Sequence, residues 1–243
     1  MVSNRFWKGI IIPSLRRVRE VLVMLKRIKD RLFPIFCVDC GEEGIFCCKD
    51  CLDKIKKNEI IEIDFILKKQ ERAIYLDNLI ALFDYKKNQE VQELIHLFKY
   101  EYCEELGDLW QELYGSLLKF EFNYDFIIPV PLHAKRKRER GFNQSEILAS
   151  SLWQEFKTRG FKINLDIVNL KRVRYTSQQI HLGGREREKN LKDAFKWAGD
   201  SLKGKSILLI DDVYTTGTTL NESARVLKNV GAVRVDCLVL AKD

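Results

Sequence analysis

Ile207-Leu-Leu-Ile-Asp-Asp-Val-Tyr-Thr-Thr-Gly-Thr-Thr-Leu220 constrains the fold of this chain more than any other stretch. Ser206 to Ile210 reads as a strand buried on both faces, ending in the adjacent carboxylates Asp211 and Asp212. Thr215, Thr216, Gly217, Thr218 and Thr219 then form a hydroxyl-rich loop leading into a helix over 223–230. The carboxyl ends of strands in a parallel sheet are where ligands bind, and a helix N-terminus offers N–H groups and positive dipole to a phosphate. Gly217 allows close backbone approach, and the four threonines add donors. Two neighbouring carboxylates repel unless they face sugar hydroxyls or a divalent cation. No Lys-Ser/Thr follows the glycine, so this is not a nucleotide-binding P-loop.

The rest of the carboxy-terminal half supports a parallel sheet. Phe126-Ile-Ile-Pro-Val130 is a short apolar strand that ends in a loop constrained by Pro129 and Pro131. Asn143 with Glu146 opens a helix running to Arg159, and a further strand is expected over 233–240, after Gly231. Strand–helix–strand alternation at this spacing implies crossover helices on a parallel sheet. Upstream, Asn78 to Asp84 reads as a strand, and residues 88–120 as two helices broken near Tyr102. Their buried stripes are Leu94, Ile95 and Phe98, then Leu109, Trp110, Leu113 and Leu117.

Five of the seven cysteines crowd between Cys37 and Cys51. No apolar segment leads to a signal-peptidase-type cleavage site, so the expected compartment is the cytoplasm, where thiols stay reduced and clustered cysteines point to metal. Cys37-x2-Cys40-x7-Cys48-x2-Cys51 has the spacing of a structural tetrathiolate zinc site, with Gly41 and Gly44 permitting sharp turns. Cys47 competes with Cys48; the x2 spacing to Cys51 favours Cys48. No apolar run approaches the roughly 20 residues of a membrane-spanning helix, so no transmembrane segment is expected.

The chain of 243 residues carries a net charge of +7, with an isoelectric point near 9.0, which favours anionic partners. Residues 1–34 hold nine basic and two acidic side chains. Leu15, Val18, Leu22, Leu25, Ile28 and Leu32 mark an amphipathic helix over 14–31 with a basic face. That helix either packs on the body or contacts a membrane surface or nucleic acid. Residues 133–192 hold fifteen Lys/Arg against six Asp/Glu, including the charged loop Lys135 to Arg140. The four tryptophans are scattered, so they offer no base-stacking platform.

The acid pair with Thr-Thr-Gly-x-Thr resembles the signature of type I phosphoribosyltransferases. Pro129-Val-Pro-Leu-His133 and Arg140-Gly-Phe-Asn-Gln144 are similar to motifs of the ComF family, competence-associated proteins of phosphoribosyltransferase type. So are Arg172-Val-Arg-Tyr-Thr-Ser-Gln-Gln179, Arg187-Glu-Lys-Asn190, Phe195 and the cysteine cluster ahead of the sheet. The resemblance covers residues 32 to 243 and implies an α/β type I phosphoribosyltransferase domain with an N-terminal four-cysteine zinc module. The expected organisation is a basic helix over 1–34, the zinc module over 35–60, a strand and helical connector over 61–120, and the sheet domain over 121–243.

The resemblance further implies binding of phosphoribosyl pyrophosphate (PRPP) with Mg2+. Asp211 and Asp212 would hold the ribose hydroxyls, partly through the metal, and Thr215, Thr216, Gly217, Thr218 and Thr219 the 5-phosphate. Pro131, Leu132, His133 and Arg140 would hold the pyrophosphate, and a mobile loop carrying Arg174, Gln179, Arg187 and Asn190 would close over the ligand. Lys99-Tyr100 also matches the family, with no role derivable from the sequence. The implied biology is natural transformation and the handling of incoming single-stranded DNA. Alternatives are an active phosphoribosyltransferase with an unknown acceptor, and a PRPP-responsive DNA-binding module without turnover. A scaffold meeting a competence helicase or uptake-channel proteins through the N-terminal helix is a third, which would place the protein peripherally at the inner face of the membrane.

Overall fold

The computed structural model describes residues 34–57, 61–63, 74–100, 103–114, 123–175 and 191–243. The expected basic helix over 14–31 lies outside them, as do Gln179, Arg187 and Asn190. The chain divides into two compact units, Met1–Cys51 and Leu52–Asp243.

In the first unit, the cysteine turns are built by short backbone hydrogen bonds. Gly41 N–H donates to Cys37 O at 3.0 Å, Cys37 N–H to Glu42 O at 2.8 Å, and Val38 N–H to Phe46 O at 3.0 Å. Gly41 and Gly44 take φ of 76° and 94°, the left-handed conformations such turns require. Helix α1 (Lys49–Lys56) starts here and runs across the unit boundary.

The second unit is organised by one six-stranded sheet. Its strands are β1 (Ile61–Ile63), β2 (Leu79–Asp84), β3 (Phe126–Pro129), β4 (Asn164–Leu165), β7 (Ser206–Tyr214) and β8 (Arg234–Lys242). The order is β1-β2-β8-β7-β3-β4; β1 is antiparallel to β2, and every other pair is parallel. The 61–120 segment therefore contributes an interior strand, β2, to the same sheet as β7. A separate antiparallel pair joins β5 (Leu170–Arg172) to β6 (Phe195–Trp197).

β7 is the central strand. Ile207, Leu208, Leu209 and Ile210 are fully buried, each worth about 1.5–3 kcal/mol of apolar burial. Contrary to the expectation from sequence, the strand does not stop at the acid pair. It runs on to Tyr214, with Asp211 opposite Val239 and Val213 opposite Ala241, because the long β8 continues the ladder beside it.

Helices α2 (Gln89–Tyr100) and α3 (Cys103–Tyr114) break near Tyr102, as the sequence pattern implies. Leu94, Ile95, Phe98, Trp110 and Leu113 are buried, and the Phe98 and Trp110 rings lie 5.7 Å apart. Leu106 takes the buried place expected for Leu109, which is only half-buried. The remaining helices are α4 (Ala134–Arg140), α5 (Gln144–Thr158) and α6 (Thr218–Asn229).

The strand order places a topological switch between β3 and β7. From β3 the chain proceeds outward to β4; from β7 it proceeds the other way to β8. The crevice outside the carboxyl ends of such a strand pair is where ligands bind in open α/β sheets.

Candidate functional site

A cavity of about 360 Å3 opens at that switch. Val130, Pro131 and Leu132 line it from the loop after β3, and Asp211, Asp212 and Thr215 from β7 and its following turn. Thr219 joins from α6, Tyr85 from the end of β2, and Lys99, Arg136, Arg140 and Arg172 supply four cations.

The acid pair is held from several elements. The Ser145 hydroxyl donates to Asp211 Oδ1 at 2.9 Å, and Asp212 N–H donates to the same oxygen at 3.0 Å. Burial, reinforced by the adjacent Asp212 charge, pushes the Asp211 carboxyl well above the ordinary carboxylate range. Asp212 Oδ1 accepts from Val213 N–H at 2.6 Å, and Lys99 Nζ lies 3.1 Å from Oδ2. These hard oxygen donors are the type a magnesium ion takes, and the same oxygens can accept from sugar hydroxyls.

The threonine turn presents backbone donors. Helix α6 begins at Thr218, five residues earlier than the sequence pattern implies, with Gly217 as its N-cap at φ 70°. A glycine cap supplies no side-chain acceptor, so no side chain caps the first-turn N–H groups. Glycine is needed twice over, since a Cβ there would fall 2.5 Å from the Tyr214 hydroxyl. Thr216 Oγ1 and Thr218 Oγ1 are 3.0 Å apart and bonded to each other. Of the five turn residues, Thr215 and Thr219 line the cavity; Thr216, Gly217 and Thr218 form the turn between them.

The opposite lip is a helix, not the charged loop expected from the sequence. His133 Nδ1 accepts from Lys135 N–H at 3.2 Å, capping α4, and Gly141 ends the helix in the left-handed conformation. Lys, Arg and Glu are good helix formers, so two caps suffice to override the like-charge run. His133 is thus a cap, and its ring meets the Tyr175 ring edge-on at 5.2 Å, while Lys135 Nζ lies 4.8 Å over the same ring. Arg140 Nη1 donates to Gln144 Oε1 at 3.2 Å, and Gln144 Nε2 donates to Lys99 O at 3.2 Å. Asn143 caps α5 and donates to Val130 O at 3.1 Å, which fixes the loop after β3. The Arg140-to-Gln144 motif is therefore a clasp joining that loop, α5 and α2.

Two cations of the cavity escape sequence reasoning. Lys99 has no role derivable there, and Arg172 enters only as part of a motif. Arg172 on β5 sits 5.4 Å over the Phe195 ring, and burial lowers its guanidinium to about 10, so it stays charged at neutral pH. Arg174, two residues on, is exposed and does not line the cavity.

In the first unit, the sulfurs of Cys37, Cys40, Cys48 and Cys51 all lie within 4.8 Å of one another. A tetrahedral site with Zn–S bonds near 2.3 Å places sulfurs about 3.8 Å apart, so the cluster fits such an ion. Cys40 Sγ and Cys48 Sγ are 3.6 Å apart, and Cys48 N–H donates to Cys37 Sγ at 3.4 Å. Cys47 stands outside the cluster. Burial, then the charges of Cys37 and Cys48, push its thiol up to about 12, so it stays protonated.

Comparison with known proteins agrees with this architecture. Residues 139–243 match the phosphoribosyl transferase domain family. The chain is 38% identical over 124 residues to Competence protein F of Haemophilus influenzae, covering 48% of this chain and 49% of that protein. It is 39% identical over 116 residues to the DNA utilization protein YhgH of Escherichia coli K12, covering 47% and 48%. It is 26% identical over 235 residues to Competence protein ComFC of Bacillus subtilis, covering 93% and 84%. The chain spans about half the length of the first two of these relatives. Fold and site together define an α/β domain of type I phosphoribosyltransferase architecture. Within that class, the chain is similar to competence proteins of the ComF type. Among the described residues, no helix is long and apolar enough to cross a membrane.

Proposed function

We propose that the cavity binds PRPP together with Mg2+, and that the protein acts in natural transformation, in the handling of incoming single-stranded DNA. The observation that carries the ligand reading is the meeting of three features at one sheet switch: the acid pair, the helix start at Gly217 left uncapped by any side chain, and the cationic lip. The 5-phosphate takes the N–H groups and hydroxyls of Thr215 to Thr219. The ribose hydroxyls take Asp211 and Asp212. The diphosphate takes the loop at Pro131, Leu132 and His133 with Arg140, helped by Arg136. Arg174, with Gln179, Arg187 and Asn190 on the segment that follows, closes over the ligand. Asp211 and Asp212 would hold the Mg2+, which would supply charge neutralisation for the diphosphate when bound. In a catalytic cycle, diphosphate leaves C1 and the preorganised carboxylates stabilise the cationic sugar until an acceptor captures it.

The competence and DNA-utilization names of the relatives support the biological half. So does the surface beside the cavity mouth. Helix α4 carries five cations and one acid, and the partly exposed Tyr175 ring lies against His133 and Lys135. A ring within a cationic rim is the arrangement on which unpaired bases stack. The four-cysteine cluster serves as a structural zinc site.

The test is calorimetric titration of PRPP with Mg2+ into zinc-loaded protein, with Asp211→Asn/Asp212→Asn as control. Binding by the wild type that disappears in the double variant supports the reading. An undetectable heat for the wild type, with single-stranded DNA binding intact, transfers the function to a DNA-binding module without PRPP.

A further inference from the structure

We infer that Lys99 is the resident counter-cation of the acid pair, and that it yields Asp212 only when a diphosphate arrives beside Arg140. The inference rests on the PRPP reading and concerns the order in which that site can fill.

Lys99 stands on the last turn of α2, forty residues before the start of the stretch matching the phosphoribosyl transferase domain. Its ammonium lies 3.1 Å from Asp212 Oδ2, with the two side chains only 24% and 17% exposed. The other Asp212 oxygen already accepts from the Val213 N–H. Both oxygens of Asp212 thus have partners within the protein itself. Lys99 is in ion-pair contact with Asp212, while the Arg172 guanidinium acts electrostatically on Asp211, the other member of the pair. A divalent cation entering alone must come against that ammonium in a poorly solvated pocket, where charges act strongly on one another.

The backbone of Lys99 supplies the second half of the argument. Its carbonyl accepts from Gln144 Nε2, and Gln144 Oε1 accepts from Arg140 Nη1. One amide thus anchors both the residue that neutralises Asp212 and the guanidinium assigned to the diphosphate. A lysine ammonium is a compact charge on a flexible stem and can change partners. A diphosphate beside Arg140 gives it an anionic partner, which releases Asp212 to the metal and the ribose. Lys99 is accordingly a positioning residue that makes metal and diphosphate bind together. Such coupling is reciprocal between the two ligands.

The test uses Mn2+ as a spectroscopic stand-in, with free Mn2+ read by electron paramagnetic resonance on zinc-loaded full-length protein. Wild type, Lys99→Met, Lys99→Arg and Lys99→Met/Asp211→Asn/Asp212→Asn are titrated with and without PRPP. The wild type and Lys99→Arg should bind Mn2+ weakly alone and tighter with PRPP. Lys99→Met should bind Mn2+ alone about tenfold or more tighter than the wild type and lose most of the PRPP-dependent gain. The triple variant should lose this Mn2+ binding. Thermal melts check each fold, and Lys99→Gln replaces Lys99→Met if the latter melts below the assay temperature. Equal Mn2+ affinity of wild type and Lys99→Met, with PRPP still bound by both, overturns the inference and leaves the PRPP reading standing. Persistence of the gain in the triple variant also overturns it. Failure of the wild type to bind PRPP with metal overturns the underlying reading, and the inference with it.

Discussion

The Ser145 hydroxyl reaches Asp211 Oδ1 at 2.9 Å, joining the first turn of α5 to the central strand across 66 positions of sequence. The bond holds the carboxylate toward the cavity while stabilising its charged form against burial. A hydrogen bond to a charged group is worth about 1.5–3 kcal/mol. Ser145→Ala should therefore weaken PRPP binding by about tenfold or more, measured calorimetrically. Its melting temperature should fall as well, because the buried carboxylate loses a donor in the folded protein itself.

Gly217→Ala should weaken both fold and site. The substitution places a Cβ at φ 70° and within 2.5 Å of the Tyr214 hydroxyl. Left-handed strain alone costs about 1 kcal/mol, and the contact adds to it. A lowered denaturation midpoint with loss of PRPP affinity is expected; an unchanged midpoint would show that the turn is not constrained as described.

Buried charge at Asp236 should matter more for stability than the acid pair does. Its fully buried carboxylate accepts from Asn78 Nδ2 and Tyr124 OH and pairs with Arg234 at 2.6 Å. Asp236→Ala strands these partners and should cost about 3 kcal/mol in urea denaturation. Asp236→Asn, which keeps an acceptor, should cost less.

Asp125 should shape the acid limb of the stability curve. Lys205 Nζ at 2.8 Å, then the Ser206 N–H, hold its carboxyl below the ordinary range. A folded-state value below the unfolded one contributes stability that is complete above about pH 4. That contribution is lost as pH falls through the folded value. The stability difference between wild type and Asp125→Asn should therefore shrink below about pH 4. The partners are partly exposed, so the difference should be modest and salt-sensitive.

The cysteine cluster should hold one zinc per chain in reductant-treated protein, as measured by metal analysis. Cys48→Ser should lose the metal and Cys47→Ser should retain it. Well under one zinc per wild-type chain would remove the metal assignment.

What is legible in the sequence is local. The acid pair, the Thr-Thr-Gly-Thr-Thr turn and the x2 cysteine spacings each lie within a short stretch, so their chemistry can be read from order alone. Asn143 is recognisable as a helix start because its cap signal is also local. The contacts of Lys99 and Ser145 with the acid pair are not legible, because they form only when α2 and α5 pack at the end of β7. The start of α6 falls earlier than its sequence pattern implies because threonines are poor helix formers, and only the Gly217 turn sets the boundary. The length of β7 depends on its pairing with β8, a long-range property. Helix α4 carries its signals in His133 and Gly141, but five like charges mask them.

The most direct test of the central claim is a phosphorus NMR titration of PRPP with Mg2+ into the protein, which follows the 5-phosphate and the two diphosphate phosphorus nuclei separately. If PRPP spans the switch between β7 and β3, all three resonances shift on binding. At protein concentrations that still saturate each variant, Thr219→Val should then selectively reduce the 5-phosphate shift, and Arg140→Ala the diphosphate shifts. Resonances that stay at their free positions in saturating protein, or that respond identically to both substitutions, would contradict a ligand held across these two loops.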